Sequence, residues 1–381
     1  MLRPANIEEL CEIVAAGGKL RLRGGGSKDA IGAPTPEATI VDMRGFAGVV
    51  DYDPPELVLT VGAGTPLTEV QALVAAEGQM LAFDPFDHGA LLGGNAGEAT
   101  IGGVIAAGVS GPGRLSGGAA RDHLLGFTAV SGRGERFVAG AKVVKNVTGY
   151  DLPKLIAGSF GTLVAMTEVT LKVVPAPEAT AALTLDNLSV AEAQRSMILA
   201  LGSTTEPTGA VYQPSAARLI FRLEGSAPSV AYRLNALSDL VGTGTVHEGV
   251  QAVEVWQNLR HLTHLIAYRL PILWSLSIPP ADFGAGFEAL LNGLPGATTQ
   301  VDWGGGRIWL AHQLTDMADA ARTVHRYLGG RGHATLLLAP DDWRRSGALF
   351  TPEVPIPLLQ KIRAAFDPGF IFNRGRLHPD L

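Results

Sequence analysis

One cysteine, Cys11, stands in 381 residues, which excludes an intrachain disulfide and any iron–sulfur cluster ligated by this chain's own thiolates. Cys11 falls on the apolar face of an amphipathic segment and is expected in a core. Long apolar runs are also missing. Nowhere do eighteen apolar residues follow one another, and Glu8 and Glu9 occupy the place where a leader would carry its apolar centre, so a cytoplasmic protein is expected. Runs of Lys or Arg are absent from a chain of net charge −6 and pI near 5.9, and nucleic acid is not an expected partner. The commoner nucleotide signatures are missing as well. Gly62/Gly64 and Gly304/Gly306 are followed, where a third glycine would be needed, by Leu67 and Trp309, and the Gly18-Lys19 pair is followed by Leu20. The close histidine pair, His261 and His264, has no Asp or Cys beside it. It is expected on one solvated helix face, with no metal site.

What is present is uneven. Of 48 glycines, 29 lie in the first 175 residues, whereas all five tryptophans (Trp256, Trp274, Trp303, Trp309, Trp343) come later, so two regions with different work are expected. If exposed, those tryptophans would suit a partner interface. Apolar spacing at Ile7, Leu10, Cys11 and Val14 predicts a helix capped by Asn6. Leu20 and Leu22 alternate with Arg21 and Arg23 in a short strand that runs into Gly24-Gly25-Gly26-Ser27-Lys28. Glycines there bring successive backbone N–H groups within reach of phosphate oxygens, with a hydroxyl and a cation beside them. An exposed turn is the competing reading.

Strands are predicted over 39–42, 49–52 and 57–61, then a helix over 67–76 with Thr65 as cap and Pro66 as its first residue. Residues 84–122 are the most glycine-rich of the chain, but the apolar block 101–109 argues for a short helix of small residues rather than a linker. Residues 145–172 read as loop, short helix with Asp151 as cap, tight turn Gly158-Ser159-Phe160-Gly161-Thr162, and a long strand ended by Pro175. In the second region, strands (217–223, 307–311, 334–338) alternate with helices (228–240, 253–262, 315–328), as in an antiparallel sheet with helices on one side.

Four blocks in order resemble the FAD proteins of the vanillyl-alcohol oxidase, or p-cresol methylhydroxylase, type. They are Arg23 to Lys28; Ala99-Thr100-Ile101-Gly102-Gly103 with Ser110-Gly111-Pro112 and Arg121-Asp122; Gly149-Tyr150-Asp151-Leu152; and Gly158 to Leu163. Farther on, the segments 274–279, 301–305, 332–335 and 372–376 are similar to the E-subunit family of bacterial glycolate oxidases. Ser275 and Arg374 depart from that pattern, which has Arg and Pro there.

The resemblance implies an α+β fold: an FAD-binding domain over 1–176 (subdomains about 1–82 and 83–176), a cap domain with antiparallel sheet over 177–350, and a segment 351–381 returning to the FAD domain. It implies noncovalent FAD, since no His lies in the 23–28 loop, held by Arg23, Gly24, Gly25, Gly26, Ser27, Lys28, Pro85, Thr100, Gly102, Gly103, Ser110, Gly111, Arg121, Asp122, Asn146, Gly149, Tyr150, Asp151, Gly158, Ser159, Gly161, Thr162, Leu163 and Asn373.

Oxidation of a small 2-hydroxy acid needs a cation for the carboxylate and a base for the hydroxyl proton. Arg307 and His333 are the candidates; a solvated strand end and a structural histidine are the competing readings. Relatives that oxidise D-2-hydroxy acids carry an H-G-D-G-N-x-H metal motif that this chain lacks. Three readings follow. In the first, this is the FAD-binding subunit of a glycolate oxidase complex, beside a catalytic flavoprotein subunit and an iron–sulfur subunit, cytoplasmic or peripheral at the inner membrane through that complex. The second is a self-sufficient FAD-dependent dehydrogenase. The third is a non-catalytic subunit with structural FAD.

Overall fold

The alternating Leu20–Arg23 segment folds as strand β1, parallel to β2 (Thr39–Asp42), in the computed structural model, which describes residues 1–141, 150–346, 350–351, 355–379 and 381. The strands β3 (Val49–Asp53) and β4 (Val58–Gly62), a short β5 (Gln79–Met80), then β6 (Leu124–Ser131), β7 (Arg136–Gly140), β8 (Val164–Lys172) and β9 (Val174–Pro175) follow. Five of them form an antiparallel sheet in the order β3-β4-β8-β6-β7, so strands from both sides of residue 82 share one sheet. Strand β8 sits at its centre. Its residues are buried on both faces apart from Glu168 and Lys172, which is why it reads as an almost unbroken apolar and β-branched run.

Helix Ile7–Ala15 begins where the Asn6 side chain accepts from Glu9 N (2.9 Å) and the Glu9 carboxylate accepts in return from Ala5 N (2.8 Å). It buries Leu10 and Val14 against Leu20, Val41, Val130, Ala165 and Phe372, with Cys11 packed at the edge of the same cluster. Phe372 comes from the far end of the chain and is fully buried. Its burial contributes about 2–3 kcal/mol.

By contacts, the chain divides into two units: Met1–Gly111 with Gly118–Ala176 and Pro355–Leu381, and Pro112–Gly117 with Pro177–Val354. The second unit is built on β10 (Ala179–Leu185), β11 (Gly209–Gln213), β12 (Arg218–Gly225), β13 (Thr245–Glu248), β14 (Ile272–Ser277), β15 (Thr298–Asp302), β16 (Arg307–His312), β17 (His333–Leu338) and β18 (Phe350–Thr351). They make one antiparallel sheet in the order β13-β10-β12-β11-β15-β16-β14-β17-β18. Helices Val190–Leu201, Ala227–Val241, Gly249–Arg260 and Met317–Leu328 accompany it, the first opened by a Ser189/Glu192 capping box.

Three expectations are corrected here. The helix after β4 starts at Leu67 with Pro66 outside it, because the Thr65 hydroxyl is spent on Gly48 N and Gly62 O across the strand turn. His261 and His264 do not share a helix: Leu262 adopts φ +56° and breaks the chain between Gly249–Arg260 and Thr263–Tyr268. His264 is not solvated but turned inward, its Nδ1 3.1 Å from Gln213 Nε2. The tryptophans offer little interface, since Trp256, Trp274, Trp309 and Trp343 are buried and Trp303 is half-buried.

Candidate functional site

Strand β1 delivers Arg23 to the mouth of a cavity in the first unit with about 750 Å³ of free space, part of it open to solvent. The loop Gly24–Lys28 forms one wall. A Cβ on Gly25 would strike the Glu98 carbonyl and one on Gly24 the Thr100 hydroxyl, while Gly26 holds φ +89°, so the loop has the shape it has only because these positions are glycine. Thr100 caps the helix Ile101–Ala106 through Gly103 N, and Gly102 lies so close to Ala63 that a side chain there would meet it. Phe160 and Gly161, from the turn at Gly158–Thr162, form another part of the wall. The backbone of that turn is pinned by Gly158 N to Ile105 O (3.0 Å), Phe160 N to Ala106 O (2.7 Å) and Thr162 N to Ser159 O (3.1 Å).

Lys28 brings a buried ammonium to the cavity. It is nine-tenths buried, its Nζ donates to Ser27 Oγ at 3.3 Å, and desolvation, with Arg376 adding to it and Asp87 opposing, brings its pKa down to about 8. Arg23 is compensated differently: its Nε donates to Asp29 Oδ2 and Arg21 Nη2 pairs with Asp29 Oδ1, both at 2.7 Å.

Asn373 ties three segments together. Its Oδ1 accepts from Leu22 N (3.1 Å), its Nδ2 donates to Phe160 O (2.8 Å) and Gly161 O (3.2 Å), and its own N donates to Leu20 O (2.8 Å). Three residues onward Arg376 donates from Nε to Ile31 O (3.0 Å) and from Nη2 to Lys28 O (2.6 Å).

Of the residues expected at the cofactor, Arg23, Gly24, Gly25, Gly26, Ser27, Lys28, Thr100, Gly102, Gly103, Gly161 and Asn373 line this cavity. Others lie off its walls and hold neighbouring backbone. Pro85 O accepts from Gln71, Ser110 Oγ from Ala120 N, and Gly111 lies against Asp84 O. Arg121 and Asp122 form an exposed pair at 3.8 Å. Tyr150 is 95% exposed, and Asp151 caps its helix and meets Lys154 Nζ at 2.7 Å. Gly158, Ser159, Thr162 and Leu163 belong to the turn without lining the cavity. Asn146 and Gly149 lie outside the described residues. Arg376, Phe160 and the apolar side chains Met43, Val164 and Met166 line the cavity without having been expected there. Phe160 holds φ +54°, strained for an aromatic residue, and only its place in the glycine turn hinted at that.

In the second unit, Ser277 of β14 pairs in register with Arg307 on one side and His333 on the other. Lateral partners in a sheet point to the same face, so the two expected catalytic residues share a row two strands apart, roughly 10 Å between backbones. Arg307 is not a solvated strand end. Its Nε donates to Ser275 Oγ (3.2 Å), its guanidinium carbon lies 3.8 Å from the Trp309 ring centroid and 4.7 Å from that of Trp303, and desolvation brings its pKa down to about 10. His333 is exposed at the start of β17. Among the described residues no group of three His, Cys, Asp or Glu side chains could hold a metal ion, and no helix is long and apolar enough to cross a membrane.

Residues 1–140 match the family model described as an FAD binding domain. Over nearly its whole length the chain is similar to glycolate oxidase subunit GlcE of Escherichia coli (strain K12), with 34% identity over 382 aligned residues covering 99% of this chain and 97% of that protein. The chain belongs to the GlcE family. A D-lactate dehydrogenase of Archaeoglobus fulgidus is 31% identical over 180 residues, 46% of this chain and 38% of that one, so that likeness covers only part of each. Among solved structures, an alkyldihydroxyacetonephosphate synthase aligns with a TM-score of 0.69 at 19% identity over 97% of this chain and 74% of that one, so the two share one α+β fold.

The cavity fits the cofactor of such a domain. A GlcE-family chain that binds FAD needs a cation for the pyrophosphate, a glycine cradle and apolar walls for the ring system. Lys28 supplies a buried ammonium with one long hydrogen bond, Gly24 and Gly25 lie where any side chain would collide, and Met43, Val164 and Met166 line the apolar part.

Proposed function

We propose that this chain is the FAD-binding subunit of a glycolate oxidase complex and takes part in oxidation of glycolate to glyoxylate. Electrons pass through its FAD towards an iron–sulfur subunit, and a second flavoprotein subunit carries the metal-dependent chemistry. The observation that carries this reading is the end-to-end likeness to a glycolate oxidase subunit, 99% of one chain against 97% of the other. The single cysteine supports it, because an electron-transferring cluster would have to sit on another chain.

FAD, when bound, would supply the two-electron acceptor. The chain's own part is to hold it. Lys28 offers the charge, the Gly24–Gly26 backbone the close approach, and Asn373 and Arg376 the fixed spacing between the loop and the turn at Gly158–Thr162. The row Arg307–Ser277–His333 favours a second reading, in which this chain engages the hydroxy acid itself. There Arg307 would orient the carboxylate and His333 take the hydroxyl proton.

Anaerobic glycolate added to the purified, FAD-loaded chain separates the two. Under the complex reading the visible flavin spectrum stays oxidised until the partner subunits are added. Bleaching by the chain alone would establish the second reading, and a colourless chain that takes up no added FAD would overturn both.

A further inference from the structure

Asp302 ends β15 with a carboxylate that is 1% exposed. Its Oδ2 accepts from Trp309 Nε1 (3.1 Å), while Oδ1 is buried without a hydrogen-bond partner. Burial pushes this carboxyl up to about 6, although Arg307, Trp309 and Gln300 all favour its charged form. A carboxylate taken out of water with one oxygen unfilled is costly. Holding an indole N–H does not require that cost, because the neutral amide of an asparagine could accept it in the same place. What an asparagine lacks is the charge.

That charge acts on Arg307. The two residues pair in register across β15 and β16, and the Asp302 carboxylate raises the pKa that desolvation of Arg307 lowers. Contacts close a circuit around them. Asp302 holds the Trp309 N–H, the Arg307 guanidinium carbon lies 3.8 Å from the Trp309 ring centroid, Arg307 Nε donates to Ser275 Oγ (3.2 Å), and Ser275 pairs in register with Trp309. An indole whose N–H is given to a carboxylate carries more negative charge on its ring, so a guanidinium stacked on that ring is attracted more strongly. Without the charge, half-buried Arg307 has a weaker seat. An arginine so placed turns towards water rather than giving up its proton.

We propose that Asp302 is a positioning residue for Arg307: through the Trp309 indole, its carboxylate fixes the guanidinium that orients the substrate carboxylate. This rests on the reading in which the chain engages the hydroxy acid itself. It also gives the buried acid a reason that the fold alone does not supply.

Phenylglyoxal, which modifies accessible guanidinium groups, tests that seat in the full-length, FAD-loaded chain. Labelling of Arg307, followed by peptide mass, should be at least tenfold faster in Asp302→Leu than in wild type, and faster by less in Asp302→Asn, which keeps an acceptor for the indole. Labelling of Arg218, paired with Asp186 elsewhere in the unit, should be equal in all three. Asp302→Asn should melt no lower than wild type, because it removes a buried charge. With partner subunits present, the KM for glycolate should rise with the labelling rate, and kcat should change less. Equal labelling of Arg307 in all three chains overturns the positioning role, and so does an Asp302→Asn chain that labels as slowly as wild type and melts lower. Failure of the functional reading looks different. Labelling that depends on Asp302, with a KM that neither Asp302→Leu nor Arg307→Lys moves, keeps the seat and removes hydroxy-acid binding from this chain.

Discussion

An ammonium buried beside an arginine is easier to discharge than one in water, and that makes Lys28 a pH handle on cofactor binding. Its pKa near 8 reflects desolvation first, with Asp87 opposing and Arg376 adding to it. A pyrophosphate placed against it would raise that value, so the bound state holds the proton more firmly than the free state. The attraction is then fully present below about pH 8, where both states are protonated, and is lost as pH rises through the bound-state pKa. FAD affinity measured by flavin fluorescence should be flat from pH 6.5 to 7.5 and fall above 8 by up to roughly tenfold per pH unit. Lys28→Met should bind weakly and without that slope. A wild-type Kd independent of pH up to 10 would remove Lys28 from the phosphate site. That Lys28 sits on a glycine loop was legible from five consecutive residues, and the loop lines the cavity. That Arg376 supports it was not, because its partners Lys28 and Ile31 are more than 340 residues away in sequence.

Short elements explain most of what the sequence displayed and what it concealed. The loop Gly24–Lys28 follows a strand of four residues and has no room for a side chain at Gly25, whose position faces the Glu98 carbonyl. Gly25→Val should therefore abolish retention of FAD during purification, while circular dichroism still reports a folded chain. Undiminished flavin would mean that the loop does not touch the cofactor. Helices such as Met317–Leu328 were readable because a long segment carries a sustained period, and strand β8 because a long β-branched, apolar run ended by proline has a strand's composition. Strand β10, ATAALTL, went unread since small residues buried almost throughout leave neither a period of two nor one of 3.6. The break between His261 and His264 was hidden for another reason: Leu262 in a left-handed conformation is imposed by packing, not by its own preference.

The chain's last residues return to the first unit and complete it. Asp367 accepts from Ile371 N (3.0 Å) and Phe372 N (2.9 Å), Arg363 donates to the Phe372 carbonyl, and Phe372 then enters the core formed by Leu10, Val14, Leu20 and Val41. Asn373 and Arg376 follow at once, joined to the turn and to the loop of the cavity. Core packing and cavity geometry thus hang on the one stretch from Asp367 to Arg376. Replacing Phe372 by Ala costs about 3–5 kcal/mol by the usual cavity penalty, a large share of a domain's margin. Deleting residues 370–381 removes that side chain together with the Asn373 and Arg376 clamps. The truncated chain should purify without FAD and show no melting step that added FAD raises, while unfolding of the second unit, whose nine-stranded sheet contains none of these residues, stays within a few degrees of its place in the full chain. Asn373→Ala tests the clamp apart from the core: it leaves Phe372 in place, so its FAD affinity should drop with little change in the melt of the cofactor-free chain. A truncated chain that kept FAD in full amount would show that loop and turn hold their spacing without the tail.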